Sequence, residues 1–122
     1  MEGLAQPNFK GLQRLLDKQP PNADGWAFAR GQALLIAETA NLLMLRPPQS
    51  EGRDVWMERA ADVRATATRL ARSTASRDYA QARLTFNTLA AMCNRCHQTF
   101  RVPTRVEGLA SPVENRGKAP VP

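Results

Sequence analysis

Two proline pairs, Pro20–Pro21 and Pro47–Pro48, cut this chain into stretches that can each hold one helix and no longer element. A proline inside a helix removes a backbone donor and clashes with the preceding turn. Pro7 and Pro103 mark the outer limits. Within these limits apolar residues recur at steps of three and four, the helical period.

In segment 8–18 the pattern is Phe9, Leu12, Leu15 and Leu16. About three turns is too short to stand without packing. The second segment follows Asp24, an expected N-cap, and carries two apolar stripes. One is Phe28, Leu35 and Leu42; the other is Ala29, Ala33, Ile36, Ala40 and Leu43. So much apolar circumference predicts a helix central to a bundle. Ser50 is the expected cap of the third segment, whose stripe is Trp56, Ala60, Val63, Ala67, Leu70 and Thr74. The fourth opens at Asp78 and repeats Tyr79, Ala82, Phe86, Leu89 or Ala90, Cys93, His97 and Phe100.

No β-alternating run of useful length occurs. The expected fold is all-α, an up-and-down helical bundle of three long helices and one short N-terminal helix. Residues 1–101 form its single domain. Residues 102–122, rich in proline and poor in apolar content, are expected to be a flexible tail.

Among its 122 residues, 43% are hydrophobic, yet no run approaches the roughly 18 needed to span a bilayer. No membrane insertion is expected. The net charge of +6 is spread among acids such as Asp54, Glu58 and Asp62, which reads as a solvated helix face and not as a nucleic-acid surface. The apolar second helix leaves surface to spare for a homodimer.

Chemistry is concentrated in one pentapeptide, "CNRCH", Cys93–His97, which holds both cysteines and the sole histidine. At about 100° per residue, the three side chains fan over about 100° of one helix face. Two thiols and an imidazole can thus meet one flat object lying against that face. Haem suits this: the thiols add to its vinyl groups and the imidazole binds the iron, the pattern of c-type attachment. Haem c, covalent and one per chain, is the expected cofactor, with His97 the metal ligand. Its two propionates would offset part of the positive charge.

Three other readings compete. A structural zinc site lacks a fourth ligand. A thioredoxin-like pair belongs at a helix N-terminus, where the dipole lowers a thiol pKa, and this one lies at the opposite end. The third is two inert buried thiols beside a histidine. Covalent haem attachment further implies a periplasmic or otherwise exported protein, although "MEGLAQPNFK" carries neither basic n-region nor apolar h-region.

The run "CNRCHQTFR" near the end of the last long helix resembles the C-terminal signature of cytochrome c′ and the other class II cytochromes c. Phe100 and Arg101 match the aromatic residue and arginine that follow the motif in that family. "ARGQALL" is similar to the family's first helix, and Trp56 to the tryptophan opening its third. The resemblance implies that Arg30 lies near a propionate, that Leu34 covers the vacant sixth position, and that Arg101 shields the proximal side. The family has a further helix where this chain has only "RPPQSEGRD". The short first helix could take that place, and Phe9 or Leu12 would then face the iron. Met44, Met57 and Met92 are the internal thioethers available as a sixth ligand.

The expected function is one-electron transfer with redox partner proteins. The alternatives are a five-coordinate haem that binds a small gas such as NO or CO, and a haem-free basic helical interaction module. With no second histidine and no acid–base couple, no enzyme activity is expected.

Overall fold

The structure, a computed structural model, describes residues 5–49, 51–100 and 108–109. These form four helices: α1 (Ala5–Asp17), α2 (Ala23–Met44), α3 (Arg53–Ala75) and α4 (Tyr79–Thr99). Among the described residues there is no strand. The helices form a ring in which each packs on its neighbours in sequence and α1 closes against α4. All four contacts are antiparallel. Trp56 at the start of α3 donates to Leu43 O at the end of α2, Thr66 meets Met92, and Phe9 stacks on Phe86 while Tyr79 donates to Leu16 O. This is an up-and-down four-helix bundle with a short first helix.

The stripes read from the sequence form its core. Phe9, Leu12 and Leu16 are buried from α1, Ala29, Ala33, Ile36 and Ala40 from α2, and Val63, Ala67 and Leu70 from α3. Ala82, Phe86, Leu89, Ala90 and Cys93 complete it from α4. Buried hydroxyls return their protons to their own helix: Thr39 to Leu35 O, Ser73 to Leu70 O and Thr74 to Ala71 O. That removes the cost of an unpaired buried donor.

Several sequence expectations need correction. Helix α1 starts at Ala5, so Pro7 stands inside its first turn, where no intrahelical donor is required. The N-cap of α2 is Asn22, whose side chain accepts from Gly25 N at 2.9 Å; Asp24 sits in the first turn instead, near the positive end of the dipole. The N-cap of α3 is Gly52, with φ +93°, while Ser50 lies outside the described residues. The α4 cap is Asp78, as its position predicts. Helix α2 is not central. It is a corner diagonal to α4, and its Phe28–Leu35–Leu42 stripe faces outward because two helical neighbours cover only one side of it. The tail is also not free throughout, since Leu109 is buried and its N–H donates to Asn87 Oδ1 at 2.7 Å.

Two residues past the end of α3, Arg77 is left-handed, at φ +56°. Asp78 N reaches Ser73 O and Arg77 N reaches Thr74 O, which satisfies the last carbonyls of the helix.

Candidate functional site

Cys93, Cys96 and His97 occupy the last two turns of α4. Cys93 and His97 are buried and Cys96 is half-buried. Their helix is ordinary sequence. Asp78 caps it, "QARLTFNTLAAM" lacks glycine and proline, and the 82/86/89/93/97 stripe points it inward. Phe100 is the C-cap, its N–H donating to Cys96 O.

The length of α1 makes this end of α4 distinctive. Phe9 lies beside Phe86 with ring centroids 4.5 Å apart, and α1 runs antiparallel from there. Its first residue, Ala5, is one turn further, about 6 Å, and therefore near the level of Ala90. Residues from Cys93 onward run beyond the start of α1, and α3 is their main helical neighbour. There Trp56 packs edge-on against Phe100, with centroids 5.0 Å apart, and its indole N–H donates to Leu43 O at 2.6 Å. One side chain thereby ties together the ends of α2, α3 and α4.

Both cysteines are free thiols. Burial pushes Cys93 up to about 12, and the neighbouring Cys96 adds to this. Burial also raises Cys96, while the Arg59 guanidinium opposes the rise. Both groups are thus held as neutral thiols. A nucleophilic redox pair requires the opposite shift, so the thioredoxin-like reading loses its physical basis. Among the described residues no three His, Cys, Asp or Glu side chains converge to hold a metal ion, which leaves the zinc reading equally unsupported.

Arg59 was not distinguishable in the sequence. It is one of several arginines on α3, three residues after Trp56. The structure half-buries it, and its Nε is buried without a hydrogen-bond partner. A guanidinium beside Cys96 with a donor to spare suits a carboxylate. His97 is engaged within the structure, though its Nε2 is buried with no hydrogen-bond partner.

The remaining sequence-derived site residues are not brought to this cluster. Arg30 lines a cavity of about 290 Å³ with Trp26, Thr74 and Arg77, where the start of α2 meets the end of α3. It is thirteen residues, about 20 Å along the helix, from Leu43 at the pentapeptide's end of the bundle. Leu34 is on the outer surface of α2, diagonal to α4. Phe9 and Leu12 are core residues; Phe9 stands opposite Phe86, eleven residues or about 16 Å before His97. Met92 Sδ accepts the Thr66 hydroxyl at 3.1 Å, Met57 is exposed, and Met44 is half-buried at the end of α2. Arg101 lies outside the described residues.

No family model, curated protein or solved structure matches the chain.

Proposed function

We propose that this chain is a mono-haem c-type cytochrome that carries one electron between protein partners. The observation that supports the reading most is the placement of Cys93, Cys96 and His97 together at the inward end of α4, past the start of α1. The donor set fits haem c: two neutral free thiols three residues apart, then an imidazole on the same face.

When bound, haem supplies a one-electron iron couple whose potential follows its axial ligands and its burial. The chain's own residues do the rest. Cys93 and Cys96 would hold the haem through thioether bonds to its two vinyl groups. His97 would supply an imidazole nitrogen to its iron. Arg59 offers its free Nε–H to a propionate. Trp56 and Phe100 pack edge-on against each other at that end of the bundle. Thioether attachment places assembly in an exporting compartment, and the resemblance of "CNRCHQTFR" to class II cytochromes c agrees with the location of the site on the last helix.

The test is expression with haem-maturation machinery, followed by acid–acetone extraction and a pyridine haemochrome spectrum. The expected product keeps one haem per chain after extraction. Cys93→Ala or Cys96→Ala leaves a single thioether and shifts the haemochrome band, and a wild-type product from which the haem extracts would sink the reading. Adding CO to the ferrous protein separates a closed six-coordinate carrier, with its spectrum unchanged, from an open gas-binding iron.

A further inference from the structure

The cavity of about 290 Å³ between the start of α2 and the end of α3 lies at the opposite end of the bundle from Cys93–His97. Two arginines, Arg30 and Arg77, line it beside Trp26. Both are exposed, and neither guanidinium has a hydrogen-bond or ion-pair partner among the described residues. Arg64, Arg69 and Arg83, by contrast, donate to Asn41 Oδ1, the Thr66 hydroxyl and Leu16 O. Nearby acids do not neutralise the pair. Asp24 lies about 110° around α2 from the mean direction of its cavity-lining residues. The Asp78 carboxylate caps α4, accepting from Gln81 N at 3.1 Å. The carbonyls of Arg72, Ser73 and Thr74 at the end of α3 already accept from the N–H groups of Ser76, Asp78 and Arg77. The first turn of α2 adds the positive end of its dipole.

Arg77 is a separate argument. Its φ of +56° stands where a helix exit favours glycine, which has no Cβ to crowd the backbone. An arginine kept in that conformation, with its guanidinium at a cavity and unpaired, points to a use for the side chain. The rest of the wall is apolar. Ala23, Ala27 and Ala75 leave the space open. Trp26 is buried and braced edge-on by Tyr79, with ring centroids 6.4 Å apart. The volume is near the lower end of the range of small-molecule sites, about 300–1,000 Å³. We propose that this cavity binds a small organic carboxylate, its charged group on Arg30 and Arg77 and its apolar body against Trp26. Guanidinium forks match a carboxylate in geometry as well as charge. The proposal is independent of the haem reading, because the two sites are at opposite ends of the bundle.

Calorimetric titration of the full chain tests it, with benzoate as the probe, benzamide as its uncharged counterpart and inorganic phosphate as an anion without an apolar body. The expected result is one benzoate per chain, bound at least about tenfold tighter than either control. Arg77→Gly should weaken benzoate at least about tenfold, while its urea midpoint stays at or above the wild-type value because glycine relieves the left-handed turn. A purely structural arginine would not separate affinity from stability in this way. Arg30→Gln alters an exposed helical position, so it should lose affinity to a similar extent with an unchanged circular dichroism spectrum. In nitrogen-15 spectra benzoate should shift the Trp26 indole N–H and leave that of Trp56, at the far end, in place. Absence of saturable binding, equal affinity for benzamide or phosphate, full affinity in either variant, or a shift at Trp56 instead of Trp26 would each overturn it.

Discussion

At Gly52 a missing methyl decides how α3 begins. Its φ of +93° is costly for any L side chain, and a Cβ would stand 3.2 Å from Phe100 Cε1. Gly52→Ala is therefore expected to cost about 1–2 kcal/mol in urea denaturation. A loss below a few tenths would mean that Phe100 gives way freely. Cys93 gives a pH signature in the haem-free chain. Its thiol is raised from 9.0 to about 12, so the folded state holds the proton more tightly than the unfolded chain does. That stabilisation is complete below pH 9 and disappears as the pH climbs toward 12. The unfolding free energy should fall more steeply over this range in the wild type than in Cys93→Ala, and equal slopes would refute burial of the thiol. The cysteines and histidine were legible because their spacing alone is diagnostic. Arg59 was not, because only packing distinguishes it from other arginines on α3.

Helix α1 is too short to hold itself together and depends on what it touches. Phe9 stacks on Phe86, while Tyr79 and Arg83 donate to Leu16 O, which would otherwise be an open carbonyl near the helix end. Phe9→Ala should destabilise the fold by about 3–5 kcal/mol, read from a denaturation midpoint. A smaller loss of stability with full helicity retained would show that α1 folds independently. The inward faces of the four helices were legible because burial imposes the helical period on apolar residues. The caps were less so: Asn22 and Asp24 can both accept a backbone N–H, and the turn after Pro21 decides which one stands outside the first helical residue. The outer stripe of α2 misled for a related reason. Periodicity counts the apolar faces of a helix, and it does not count the neighbours available to cover them.

In the whole molecule the bundle is uneven from end to end. Where α1 meets α4, stacked rings and long-range hydrogen bonds join the helices, whereas the Cys93 end runs past α1. Local opening follows contact density. In the haem-free chain, amide exchange should therefore be slowest in α4 around Ala82–Ala90 and at least about tenfold faster beyond Asn94, and uniform protection along α4 would contradict this. No described helix is long and apolar enough to cross a membrane. The sequence by itself determined the helical class, the four segments, their inward faces and the residues with distinctive chemistry, because periodicity, proline and residue type are local properties of a chain. Only the tertiary structure decided that α1 closes the ring and stops short of Cys93, that Arg30 and Leu34 lie away from the pentapeptide while Arg59 lies beside it, and that one apolar face of α2 remains outside. Those outcomes depend on helix lengths and on which helices are neighbours around the ring, and neither is written in any single segment.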